Sequence, residues 1–161
     1  MKILIVSDTH RKNDNYLSVL EKEKPLDFVI HCGDAEGSEY LLEESAGCPL
    51  HIVLGNNDFF SRLPREKEFF LGKYKVFLAH GHTYGVGVDD SDLISEAILR
   101  EADLLIYGHT HRPLVEIREE LVILNPGSLS YPRQEGKLPS YIIMEIDKKG
   151  EASFSLKHVE K

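Results

Sequence analysis

Hydrophobic positions in the first two-thirds of the chain fall into short runs, each broken by glycine or a polar cluster. The runs are residues 3–6, 28–30, 52–54, 76–79 and 104–106. Runs of this length, bounded by Gly and polar residues, predict strands buried on both faces. Between the first runs the period changes to that of a helix. Tyr16, Leu17, Val19 and Leu20 share helical spacing, with Asn13 or Asp14 as the cap and Pro25 as the stop. A second helix is predicted over 38–46, with Tyr40, Leu41 and Leu42 turned inward and Gly47 ending it. A third strand over 50–54 completes a βαβαβ order, which implies parallel strands joined by right-handed crossovers.

Further along, the pattern favours hairpins. Segments 67–71 and 74–79 flank Gly72-Lys73, and 115–117 and 122–124 flank Glu119-Glu120. A short amphipathic helix over 92–100 would turn Leu93, Ile94, Ala97 and Ile98 inward. The tail, 141–146 and 152–158 around Lys149-Gly150, alternates apolar with polar and predicts a last hairpin with one face in solvent. The expected architecture is α/β: two mixed sheets packed face to face with helices outside. With no repeat, low-complexity tract or linker, residues 1–161 are expected to form one domain.

Composition narrows the function classes. The chain has 161 residues, 42% hydrophobic and 29% charged, as in ordinary globular proteins. No apolar stretch approaches the roughly 18 residues of a membrane span. The N-terminus opens directly into a strand without a secretory pattern, so the cytoplasm is the expected compartment. The two cysteines, Cys32 and Cys48, are expected to be reduced. A net charge of −8 with no basic stripe argues against duplex nucleic acid as a partner.

The polar clusters after the apolar runs carry the candidate chemistry. Asp8-Thr9-His10 follows the first run and Gly33-Asp34 the second. Gly55-Asn56-Asn57-Asp58, His80-Gly81-His82 and Gly108-His109-Thr110-His111 follow the others. Ligands of open α/β sheets lie beyond the carboxyl ends of the strands, so the five clusters are expected to meet in one crevice. Asp8/His10, His80/His82 and His109/His111 are each two residues apart, which in an extended segment places both side chains on one side. One such pair says little; three pairs with Asp34 and Asn56 form a set of carboxylate, imidazole and amide ligands. Without thiolates, that set suits Mn, Fe, Zn, Ni or Mg. Serine-hydrolase chemistry is set aside because no G-x-S-x-G elbow occurs.

In this order, D-x-H, G-D, G-N-x-D, H-G-H and G-H-x-H resemble the motifs of the calcineurin-like metallophosphoesterases, and the spacing resembles their small single-domain prokaryotic phosphodiesterases. The resemblance covers residues 2 to about 128. It implies a four-layer α/β/β/α sandwich and two divalent metal ions, Mn first, with Ni, Fe, Zn or Mg as alternatives. It assigns Asp8, His10 and His111 to one ion, Asn56, His80 and His109 to the other, and Asp34 as the bridge. A hydroxide shared by two Lewis acids roughly 3.5–4 Å apart would then attack phosphorus in line with the leaving group.

Two divalent ions carry four positive charges, and Asp8, Asp34 and hydroxide remove three. The single charge left matches a phosphodiester monoanion, so small diesters are the expected substrates. The sequence departs from the commonest family pattern at Asn57, where many relatives carry a histidine able to protonate the leaving group. Asn57 donates a hydrogen bond but no proton, and Asp58 loses its usual imidazole partner. His82 is the candidate substitute, so Asn57, Asp58 and His82 form the expected catalytic group.

Other residues carry a structural expectation. His31 reads as a hydrogen-bonded core histidine, and His51 and His158 as exposed or packed. Asn125-Pro126-Gly127-Ser128 is either a family segment near the site or a plain turn. Tyr84, Gly85 and Gly87 mark either a substrate-bordering loop or a bland surface loop. Two rival functions remain: a non-catalytic binding or scaffold protein of the same fold, and a phosphomonoesterase or nucleotidase using the same site. A homo-oligomer is compatible with the sequence.

Overall fold

The first apolar run supplies residues to two cores at once, and this sets the layering. In a computed structural model that describes residues 1–160, Ile3 and Ile5 of β1 (Lys2–Val6) face one way, and Leu4 and Val6 the other. All four are fully buried, as the two-residue period requires of a strand covered on both sides.

The first sheet has the order β10-β9-β1-β2-β3. It contains β1, β2 (Phe28–His31), β3 (Leu50–Ile52), β9 (Ser140–Ile146) and β10 (Ala152–His158). Strands β1, β2 and β3 run parallel; β9 is antiparallel to β1 and to β10. Helices α1 (Asp14–Glu23) and α2 (Glu39–Ala46) cover its outer face through Tyr16, Val19, Leu20, Leu42 and Ala46.

The second sheet has the order β4-β5-β6-β8-β7. It consists of β4 (Glu66–Leu71), β5 (Tyr74–Ala79), β6 (Leu104–Ile106), β7 (Pro113–Ile117) and β8 (Val122–Pro126). Here β5, β6 and β8 are parallel, whereas β4 and β7 are antiparallel to their neighbours. Helix α3 (Ser91–Leu99) covers its outer face through Leu93, Ile94 and Ala97. Between the sheets, Ile5, Ile30 and Met144 pack with Val76, Leu78, Ile106 and Leu124. The layers are therefore α/β/β/α, as expected. Among the described residues no helix is long and apolar enough to cross a membrane.

Both central hairpins form as expected, pairing Leu71 with Tyr74 across Gly72-Lys73 and Ile117 with Val122. Gly47 ends α2 in the left-handed conformation at φ 66°. Cys32 and Cys48 are free thiols.

Several local expectations are corrected. Strand β3 stops at Ile52; the Leu54 N–H turns out of the sheet to the Pro64 carbonyl at 2.8 Å. In α2 only Leu42 and Ala46 are buried, and Tyr40 is 75% exposed. A two-turn helix lying on a sheet covers only one narrow i, i+4 stripe. The same limit leaves Ile98 of α3 exposed. Asn13 occupies the N-cap of α1 without a side-chain cap, because its amide donates to Ser38 Oγ at 3.0 Å. The tail hairpin is not half-solvated: β9 is buried on both faces except at Glu145, because Ile142, Met144 and Ile146 pack between the sheets and Tyr141 and Ile143 pack under the helices. Only edge strand β10 alternates.

Candidate metal centre

Because β1, β2 and β3 are parallel, and β5 and β6 likewise, their carboxyl ends bring five loops together. Backbone hydrogen bonds tie these loops to one another. Asp8 N–H donates to Gly33 O (3.1 Å), His10 N–H to Asp34 O (2.9 Å) and Gly108 N–H to His80 O (3.1 Å). The sheets are joined at this edge by His109 N–H donating to Asp8 Oδ2 at 3.0 Å.

All seven ligand candidates converge. His111 Nε2 lies 3.2 Å from His10 Nε2 and 3.2 Å from Asp8 Oδ1. Asp34 Oδ2 lies 3.8 Å from His10 Nε2 and 3.3 Å from His80 Nε2, between the two halves of the cluster. Asn56 Oδ1 is 3.0 Å from His80 Nε2 and 3.0 Å from His109 Nδ1. Two ligand triplets stand out, Asp8/His10/His111 and Asp8/Asp34/His80, each with its ligand atoms within 4.8 Å of one another. Asp8 thus belongs to both triplets.

The extended geometry expected of the paired motifs does not occur. Asp8, His10, Asp34, His109 and His111 all have positive φ, between 46° and 68°. His82 lies in a single 3-10 turn, His82–Tyr84, rather than in a strand. The chain must leave the sheet edge and still aim alternate side chains inward, and left-handed kinks at these residues accomplish both. Asp and His tolerate that region better than most side chains, at a cost on the order of 1 kcal/mol or more each, characteristic of functional loops.

Whether the cluster suits a cation is decided by its proton donors. His111 Nδ1–H donates to Tyr131 O at 2.7 Å, and His80 Nδ1–H to Cys32 O at 2.7 Å. These bonds fix the tautomers and turn the Nε2 lone pairs of both rings into the cluster, as outer partners of metal-binding histidines do. They face Asp8 Oδ1, a fully buried oxygen with no hydrogen-bond partner. A buried carboxylate oxygen opposed by imidazole lone pairs is costly unless a cation sits among them. The residues present therefore fit a divalent ion.

The electrostatics agree. Burial would raise the Asp8 pKa, but His10, His111 and His80 hold it well below the usual carboxylate range. Burial would likewise lower that of His80, yet Asp34 and Asp8 raise it to about 9. Both shifts have one cause: the carboxylates favour positive charge within the cluster.

The residues expected to be catalytic occupy different situations. Asn57 donates through its backbone N–H to Asp34 Oδ1 (2.8 Å) and through Nδ2 to Asp34 Oδ2 (3.0 Å). Asp58 is buried and accepts from the N–H groups of Gly55 (2.7 Å), Asp34 (2.8 Å) and Glu36 (2.7 Å). His82 stands 5.4 Å from His80 and 6.2 Å from His109, ring centre to ring centre, and its buried Nδ1 has no partner.

Sequence reasoning undervalued the supporting shell. Ser128 Oγ–H donates to Asp8 O at 2.8 Å and accepts from Tyr131 N–H at 2.8 Å. Asn125 Nδ2 donates to Gly108 O at 3.1 Å. Residues 125–128 thus latch the loops that carry Asp8 and His109, and the resemblance of Asn125-Pro126-Gly127-Ser128 to a family segment near the site was the available signal. Gly33, at φ 108°, leaves no room for a side chain: a Cβ there would meet His80 Nδ1 at 2.7 Å. His31 is a core histidine as expected, 3.0 Å from Thr9 Oγ1 and accepting from Gly33 N–H at 3.1 Å, with burial lowering its pKa to about 4. His51 stacks on Phe69 with ring centres 3.8 Å apart, and His158 is exposed.

A four-layer α/β/β/α sandwich with a carboxylate, imidazole and amide cluster across its strand ends defines an α/β protein with a candidate metal centre. The sequence profile of the Calcineurin-like phosphoesterase superfamily domain matches residues 1–149. A probable metallophosphoesterase of Methanothermobacter thermautotrophicus is 34% identical over 152 residues, covering 91% of this chain and 87% of that protein. A conserved uncharacterized protein of Streptococcus pneumoniae TIGR4, described as a predicted phosphoesterase, superposes with a TM-score of 0.80 at 27% identity, covering 97% of each chain. A solved archaeal phosphodiesterase superposes with a TM-score of 0.76 at 25% identity, covering 98% of this chain and 100% of that one. The chain belongs to the calcineurin-like phosphoesterase superfamily.

Proposed function

We propose that this metallophosphoesterase is a dinuclear phosphodiesterase acting on small diesters. In this reading Asp8, His10 and His111 would hold one divalent ion, Asn56, His80 and His109 would hold the other, and Asp34 would be shared by both. Mn²⁺ is the first expectation, with Ni, Fe, Zn or Mg as alternatives. Bound there, divalent ions supply Lewis acidity, lowering the pKa of water and taking up charge that develops on phosphoryl oxygens. The chain's own residues do the rest. Cys32 O and Tyr131 O hold the rings of His80 and His111 in the ligand tautomer. Asn57 braces both oxygens of Asp34, fixing the carboxylate between the two halves of the site. His82 stands beside the His80/His109 half and is the imidazole available for a proton to the leaving oxygen.

The observation that carries the proposal is Asp8 Oδ1, buried, unpartnered and faced by imidazole nitrogens. The deciding experiment is hydrolysis of bis-p-nitrophenyl phosphate by protein loaded with Mn²⁺, stripped with EDTA and reloaded, with metal content measured alongside. Two ions per chain with activity that disappears and returns with them is the expected result. A fully loaded protein that cleaves no phosphoester would leave the binding or scaffold role in its place.

A further inference from the structure

A second feature of the same edge concerns which diesters fit. Beside the metal centre lies a cleft of about 320 Å³ that shares His109 with it. Val86, Gly87 and Val88, from the loop after the 3-10 turn, line it together with Thr110, Arg112 and Arg133.

Both arginines are built into the site's frame. Arg112 N–H donates to Thr110 Oγ1 at 3.2 Å, and Arg133 N–H donates to the His111 carbonyl at 2.9 Å. Among the described residues, the ion pairs of arginine are those of Arg100 with Glu66, Glu68 and Glu96, and of Arg118 with Glu116. Arg112 and Arg133 are exposed and form none. In a chain of net charge −8, two uncommitted guanidiniums in one cleft form a local positive site, and guanidinium geometry suits bidentate contact with phosphate.

We propose that this cleft receives a second phosphoryl group of the substrate, so that the preferred diesters carry a phosphate on one of their ester substituents. This rests on the phosphodiesterase reading for the reaction, but not for the binding. The scissile diester occupies the metal centre, and the additional phosphate extends past His109 to Arg112 and Arg133. Val86 and Val88 present no hydrogen-bonding side chain, so recognition falls to the arginines.

The test uses Mn²⁺-loaded protein and two substrates with the same leaving group: thymidine 5′-(p-nitrophenyl phosphate), with and without a 3′-phosphate. The phosphorylated substrate is expected to have kcat/KM at least about tenfold higher, the scale of one charge-assisted contact. In the Arg112→Gln/Arg133→Gln double variant the ratio should fall to about one. Arg118→Gln, which removes one arginine charge away from the cleft, should keep the wild-type ratio. Calorimetric binding of thymidine 3′,5′-bisphosphate against thymidine 5′-monophosphate by the same proteins gives a readout independent of turnover. Equal binding of both by wild type, or a preference that survives the double variant, overturns the subsite. An arginine-dependent binding preference in a loaded protein that hydrolyses neither substrate upholds the cleft and overturns the phosphodiesterase reading.

Discussion

The carboxylate of Asp58 accepts a hydrogen bond from the backbone N–H of Asp34 at 2.8 Å, so the acid after β3 holds the acid after β2 in place. Its other contacts, Gly55 N–H and Glu36 N–H, make it a knot between two loops. Asp58→Ala would leave three amides without their acceptor. We expect metal affinity and kcat/KM to fall by about 10–100-fold, the usual cost of losing an outer partner. Asp58→Asn, which keeps one acceptor oxygen, should lose less. Titration calorimetry with Mn²⁺ checks this, and unchanged affinity in the alanine variant would refute the positioning role.

Asn57 is committed to Asp34 and has no proton to give. Unless His82 supplies the proton in its place, activity on esters with acidic leaving groups should exceed that on alkyl esters, because a missing general acid costs about 10²–10⁴ in rate. A series of substituted aryl diesters would reveal a steep dependence of rate on leaving-group pKa. A flat dependence in wild type that becomes steep in His82→Gln would instead identify His82 as the acid.

Charge matching at a centre that contains Asp8 and Asp34 favours monoanionic substrates. Paired aryl diesters and monoesters with a common leaving group should show higher kcat/KM for the diester. A strong monoester preference would move the assignment to phosphomonoesterase or nucleotidase.

Away from the site, Glu23 is buried and bonded to Lys2 Nζ (3.0 Å), Lys157 Nζ (3.0 Å) and Tyr141 OH (2.8 Å). Burial opposes ionisation, but Lys157, Lys2 and Tyr141 outweigh it and lower the pKa from 4.5 to about 2. A depressed folded-state pKa stabilises the protein fully above the unfolded value of 4.5 and progressively less as pH falls towards 2. The contribution is about 2–3 kcal/mol, allowing for screening through the partly exposed lysines. Glu23→Gln should be less stable by that amount at pH 7, and the two proteins should converge in acid. Urea unfolding across that pH range measures it, and a difference independent of pH would contradict the linkage.

Much of this architecture was readable along the chain because fully buried strands have a distinctive signature. Ile3, Leu4, Ile5 and Val6 are apolar at every position, as a strand between two apolar layers requires. Helix faces were read less well. Tyr40 and Ile98 are apolar enough to belong inside, but short helices on flat sheets have only one stripe to bury. Strand β9 carries the same signature in Tyr141-Ile142-Ile143-Met144, and both its faces are covered, Ile142 and Met144 between the sheets and Tyr141 and Ile143 under the helices.

Sequence by itself determined the strands, the order of the polar clusters and the identity of seven side chains competent to bind cations. These are local properties, set by side-chain chemistry and the period of burial. Tertiary structure alone decided that the loops turn through left-handed kinks at Asp8 and His109, and that Cys32 O and Tyr131 O orient the imidazoles of His80 and His111. It also decided that Asp58 binds amides behind the site and that Arg112 and Arg133 share a cleft with His109. Those relationships join residues from separate strand ends, and they arise only when two sheets pack with their carboxyl edges together.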